Sequence, residues 1–155
     1  KLFNGRCVIL TPHLHSDLKA VEKINALWTA CVAEVLLSSV EHHDTILAAT
    51  SHLPHALAFS LVNTLAKMDD KNDIFKFAAG GFDDFTRIAS SNPQMWSDIC
   101  IANKDALIDV LDKFTDDLNN LKQAIASQDA TELKKQFGNA KKVRDSVKKV
   151  FPSAY

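Results

Sequence analysis

The chain changes its hydrophobic rhythm once. Cys7-Val8-Ile9-Leu10 is an unbroken apolar run closed by Thr11-Pro12, which predicts a short buried strand. No second strand of comparable quality follows, so this one is expected to complete a sheet that lies elsewhere. After it the periodicity is helical. Ser16 reads as a cap with Asp17 in the first turn, and Leu18, Val21, Ile24, Ala26, Leu27 and Trp28 recur at helical spacing. Ser38 and Ser39 mark a new start, and a second helix is predicted from about Val40 to Lys67. Pro54 lies inside it and should kink it or disrupt its hydrogen-bond ladder.

Residues 68–73 form a polar connection, and residues 74–102 are the least regular part of the chain. Gly80-Gly81 weakens a helix and permits close backbone approach, and Asn92-Pro93 marks a turn or a helix start. From Asn103 the pattern becomes very regular. Leu107, Leu111, Phe114, Leu118, Leu121 and Ile125 alternate spacings of four and three, a coiled-coil-like seam on a long helix. Asp129 caps a last helix, with Glu132 three residues on in capping-box register and Leu133, Phe137, Ala140, Val143 and Val147 on its apolar face. The fold class is therefore all-α, a helical bundle with one N-terminal strand. A stripe this long serves either an intramolecular bundle or a dimer.

Composition narrows the function classes. At 155 residues, 46% hydrophobic and 24% charged, the chain holds enough apolar material for one core, and disorder is excluded. A net charge of −1 offers no basic excess for nucleic acid, and Lys141-Lys142-Val143-Arg144 with Lys148-Lys149 reads as a solvated helix face. No apolar run approaches the ~18 residues of a membrane span. Cys7, Cys31 and Cys100 are scattered among apolar neighbours and read as reduced, buried thiols of a cytoplasmic protein. The chain has four glycines, none in a GxGxxG or GxxxxGK[ST] frame, so it carries no nucleotide loop of its own. It begins with Lys1 rather than Met, as a piece of something longer would.

Three constellations could carry chemistry. All six histidines precede residue 56, and His52-Leu53-Pro54-His55 sets two imidazoles about one turn apart, with His43 and Asp44 upstream. HxxH alone is a weak metal motif, and the alternatives are surface or capping histidines or a polar pocket in which His52 or His55 bonds a ligand. In the second, Gly80-Gly81-Phe82-Asp83-Asp84-Phe85-Thr86-Arg87, backbone amides can meet an anion and Arg87 can grip a carboxylate through two parallel bonds. Asp84, three residues before Arg87, can orient it; the plainer reading is a helix cap with a surface ion pair. The third is Met95-Trp96, where a tryptophan serves either core or pocket. Ser51-His52 are sequence neighbours, which does not make a triad.

Taken in order, Val8-Ile9-Leu10-Thr11-Pro12, His43-Asp44, Ser51-His52-Leu53-Pro54-His55, Gly80-Gly81-Phe82 through Asp84-Phe85-Thr86-Arg87-Ile88-Ala89, and Met95-Trp96 resemble the prephenate (cyclohexadienyl) dehydrogenase family. The resemblance implies a two-domain, NAD- or NADP-dependent enzyme of tyrosine biosynthesis that converts prephenate, or arogenate, by oxidative decarboxylation. It implies that residues 1–12 are the last strand of a preceding Rossmann domain, which binds most of the cofactor, and that residues 13–155 are the helical dimerisation and substrate-binding domain. The family's catalytic histidine belongs to a His-Pro motif absent here, so no catalytic residue is expected in this chain, no metal site, and no turnover by the chain alone. Arg87 matches the arginine that holds a substrate carboxylate, and Asp84 its ionic partner. His55 and His52 match pocket histidines, Gly80 and Gly81 the backbone near the ligand, and Trp96 a pocket aromatic. His43, Asp44 and Ser51 support them. A homodimer and feedback by tyrosine are implied as well. Val32 departs from the pattern, standing where the family often has glycine, and Asp83 stands where a basic residue is common. The competing reading is a non-enzymatic helical interaction domain working through the Leu107–Ile125 seam.

Overall fold

The computed structural model describes the backbone of residues 2–150 and the side chains of residues 2–147. Lys1, and the side chains of Lys148 and Lys149 in the predicted basic face, lie outside the described residues. The chain divides into two compact units, one reaching Val110 and one starting at Leu111.

The first unit opens with strand β1 (Cys7–Leu10), helix α1 (Leu18–Ala30) and strand β2 (Glu34–Leu37). The strands pair in parallel, Cys7 opposite Glu34 through Leu10 opposite Leu37. The expectation that β1 lacks a partner in this chain is thus corrected. Parallel pairing requires a crossover, and α1 supplies it. Val35-Leu36-Leu37 was the available signal, a short apolar run ahead of Ser38-Ser39. The cap of α1 is Asp17, which accepts from the Lys19 amide at 2.9 Å, while Ser16 accepts from the amide of His13. Cys7 is exposed rather than buried, Cys31 and Cys100 are half-buried, and all three are free thiols.

Val32 now has a physical account. It has φ of 65° and occupies the first position beyond the α1 C-cap, Cys31. Its amide reaches the Thr29 carbonyl at 2.9 Å, and the amide of Ala33 reaches Trp28 at 3.2 Å. These two bonds define a Schellman ending, whose left-handed residue is usually glycine.

The predicted helix from Val40 to Lys67 is three segments: α2 (Val40–Leu47), a π-type turn (Ala48–His52) and α3 (Leu53–Ala66). Ser39 caps α2 by accepting from the amide of His42. Pro54 cannot donate, and its ring would crowd the Thr50 carbonyl in a regular helix. The wider turn absorbs this, with Leu53 N–H reaching back five residues to Ala48. Contrary to the sequence expectation, Val40–Ala66 is long and apolar enough to cross a membrane by length and composition, with mean hydropathy 1.3 over its most apolar stretch. It also carries His43, Asp44, His52 and His55, and a helix apolar on most sides equally suits one covered by protein.

Helices α4 (Lys71–Lys76) and α5 (Gly80–Thr86), a 3-10 turn (Arg87–Ser90) and α6 (Pro93–Ala102) follow. Both α5 and the 3-10 turn pack on α3. Asn92 caps α6 by accepting from the amide of Met95 at 3.1 Å. Ala48, Ala58, Trp96 and Leu107 form the buried apolar centre of this unit.

Helix α7 (Lys104–Ala126) carries the predicted seam, and the division between units falls within it. In the second unit its remainder is followed by α8 (Ala130–Val150). Leu121 is half-buried and Ala124 buried, but Leu118 and Ile125 are exposed, as are Phe137 and Val143 of α8. An open groove of about 900 Å³ lies between the two helices, with Phe114, Leu121, Ala124 and Phe137 on its walls. The link between them is a second Schellman ending. Gln128 has φ of 55°, its amide reaches Ile125, and the Asp129 amide reaches Ala124 at 2.9 Å. Asp129 also caps α8 by accepting from the Glu132 amide at 2.9 Å. The predicted capping box is therefore half formed. The Asp129 amide is already engaged, so the Glu132 carboxylate accepts from Lys135 and Gln136 instead. The Lys135 hydrogen bond, then that of Gln136, holds the exposed Glu132 carboxyl below its usual range.

Candidate functional site

His52 ends the π-type turn and is 9% exposed. Its Nδ1 lies 3.1 Å from Asn103 Nδ2, and that same nitrogen donates to the backbone carbonyl of Asp44 at 2.8 Å. Burial lowers the His52 pKa. The nearby Asp44 carboxylate opposes the shift, and His43 and His55 add to it. His55 sits on the first turn of α3, three residues on, with Nδ1 2.9 Å from the Ser51 carbonyl.

Trp96 joins the two histidines. Its ring stacks on that of His55, with centroids 3.6 Å apart and 19° between planes, and meets His52 edge to face at 6.2 Å. It is held there by the Asn92 cap, which sets the direction of α6. Its Nε1 is buried and has no hydrogen-bond partner. An unpaired donor in such a place is costly unless something else fills its need.

The remaining predicted residues divide. His43 Nδ1 and Asp44 Oδ1 are 2.9 Å apart, so this pair forms a unit beside His52. Ser51 contributes its backbone carbonyl rather than its hydroxyl. Gly80 and Gly81 are the first two residues of α5, so they begin a helix where the sequence suggested they would weaken one. A Cβ at either would meet no atom within 4 Å, so among the described residues nothing closes on them. Arg87 opens the 3-10 turn and is exposed, and no ion pair joins it to Asp84 among the described residues. Thr86, buried beside it, donates to the Phe82 carbonyl. Among the described residues no three His, Cys, Asp or Glu side chains are grouped to hold a metal ion.

Asn103 is the residue that sequence reasoning missed. It is buried, and it lies 59 and 51 residues from its two partners. The sequence marked it only as the point from which the helical pattern becomes regular, and no local pattern joins an asparagine there to a histidine so far upstream.

A family model described as "Prephenate dehydrogenase, dimerization domain" matches residues 39–139. The cyclohexadienyl dehydrogenase of Zymomonas mobilis is 41% identical over 96% of this chain and 51% of its own length. The prephenate dehydrogenase of Bacillus subtilis is 38% identical over 94% of this chain and 40% of its own. The crystal structure of prephenate dehydrogenase from A. aeolicus, in complex with hydroxyphenyl propionate and NAD+, superposes with a TM-score of 0.87 at 39% identity. It covers 94% of this chain and 51% of that one. The chain thus spans about half the length, or less, of these two curated relatives.

Proposed function

Because this chain belongs to the prephenate dehydrogenase family, through its dimerization domain, we propose that it is the substrate-recognising and dimer-forming part of a nicotinamide-dependent prephenate or arogenate dehydrogenase. The observation that carries this reading is the His52–Trp96–His55 cluster, with its unpaired indole N–H, on the helical segment against which α5 and the Arg87 turn pack. The reaction with prephenate transfers hydride from the ring carbon bearing the hydroxyl to the cofactor, and CO2 leaves as the ring becomes aromatic. The products are 4-hydroxyphenylpyruvate, carbon dioxide and the reduced cofactor. NAD or NADP supplies the hydride acceptor. It is assigned to a nucleotide-binding portion outside this chain, because none of the four glycines stands in a dinucleotide-binding frame. The family match begins at residue 39, which supports placing the domain boundary after β2 rather than after Pro12.

In this reading each residue has a job short of bond making. Arg87 holds a substrate carboxylate through its fork of N–H donors, and Asp84, three residues before it, orients it. His55 and Trp96 offer a flat face to the cyclohexadiene ring, and His52 a hydrogen bond. Gly80 and Gly81 leave the start of α5 open to the ligand. His43, Asp44 and Ser51 hold the helices that carry the imidazoles. Tyrosine shares the aromatic ring and carboxylate of the product, so feedback at the same pocket follows chemically. Exposed Leu118, Ile125, Phe137 and Val143 fit a face covered by a second copy of the chain.

The test is Arg87→Ala in the full-length enzyme. Loss of a charge-assisted pair of about 1.5–3 kcal/mol raises KM for prephenate roughly 10- to 150-fold, with a smaller change in kcat. An unchanged KM removes Arg87 from the substrate site.

A further inference from the structure

The hydrogen bonds of the two clustered histidines determine where their protons sit. The Asp44 carbonyl oxygen can only accept, so the Asn103 atom 2.8 Å from it must be the amide nitrogen. A flipped amide would set two oxygens against each other. The nitrogen has a second hydrogen, and the atom it faces at 3.1 Å is His52 Nδ1. An NH2 group donates and does not accept, so Nδ1 must offer its lone pair and the ring proton belongs on Nε2. His55 is the reverse case. Its Nδ1 faces the Ser51 carbonyl at 2.9 Å, which requires a proton on Nδ1 and leaves the lone pair on Nε2.

Neither Nε2 has a hydrogen-bond partner among the described residues. Trp96 Nε1 is the only fully buried side-chain nitrogen or oxygen among them without one, so neither imidazole Nε2 is fully buried.

We propose that Asn103 is a positioning residue that locks His52 in the Nε2–H tautomer, opposite to that of its neighbour His55. The consequence rests on the substrate-site reading above. Two imidazoles three residues apart, about 4.5 Å along a regular helix, present a donor at His52 and an acceptor at His55. The matching ligand carries a carbonyl or carboxylate oxygen toward His52 and an O–H or N–H toward His55. Desolvation of the His52 ring favours its neutral form and so acts with the lock.

The experiment uses the full-length enzyme labelled with 15N-histidine, at alkaline pH where both rings are neutral. Ring nitrogen shifts report the tautomer, and the His52 signals are assigned by their loss in His52→Gln. The expected result is a proton on Nε2 of His52 and on Nδ1 of His55. A proton on Nδ1 of His52 in the unaltered protein overturns the proposal, with no variant required to fold. In Asn103→Asp the carboxylate can only accept, so His52 should switch to Nδ1–H and KM for prephenate should rise at least about 10-fold, the size expected for one hydrogen bond of ~1.4 kcal/mol. An unchanged His52 tautomer in a folded Asn103→Asp enzyme also overturns it. A switched tautomer with unchanged KM upholds the lock and counts instead against His52 as a substrate contact.

Discussion

Val32 offers a direct test of the left-handed ending of α1. It stands in a left-handed conformation with φ of 65°, closing α1, and is 51% exposed. A left-handed conformation costs an L-residue about 1–2 kcal/mol, because Cβ crowds the following carbonyl. Glycine escapes that cost but gives up about 0.5–1 kcal/mol of additional chain entropy on folding. A direct Val32→Gly comparison also loses the half-buried methyl groups, so the informative comparison is Val32→Ala against Val32→Gly. Both lose the contacts of the two γ-methyl groups. The glycine variant should then be the more stable by about 0.5–1 kcal/mol. Ala26, exposed in the middle of the same helix, is the control. There Ala26→Gly should cost about 1 kcal/mol. Thermal and urea unfolding of the full-length protein read the differences. If Val32→Ala is the more stable of its pair, residue 32 is not left-handed and the Schellman ending of α1 is wrong.

The lowered His52 pKa sets the sign of a pH effect. Between the folded pKa and the ordinary value of 6.5 the unfolded chain binds more protons, so stability is complete above about 6.5 and falls as pH drops below it. His52→Gln should flatten that part of the urea-midpoint profile, and an identical slope in the variant would count against a buried neutral His52. Phe137→Asp, on the exposed face of α8, should convert a dimer to monomers in sedimentation; a persisting dimer would move the interface elsewhere. Asp129→Ala should cost about 1 kcal/mol in unfolding experiments, because the Glu132 amide loses its acceptor. Loss of the same size in Glu132→Ala would instead indicate a complete capping box.

Local pattern alone determined the helical class, a start at Ser38-Ser39, a turn or start at Asn92-Pro93, the cap at Asp129, and the long regular helix after Asn103. Each is a property of residues within one or two turns, where backbone hydrogen bonding and side-chain spacing are local. The motif residues likewise announced a site, since His52 and His55 are neighbours in sequence as well as on one turn. Four things needed the tertiary structure. β2 is too short to declare itself and exists because β1 pairs with it across α1. The turn at Ala48–His52 balances the Pro54 ring against the continuation of the helix into α3, the segment on which α5 and the Arg87 turn pack. The half-formed box at Asp129 follows from one amide having two claimants, Ala124 winning over Glu132. Asn103 enters the site from more than fifty residues away. Local chemistry could say that His52 wants a partner, but only the folded chain decides which atom supplies it, and with it where the proton on the ring must sit.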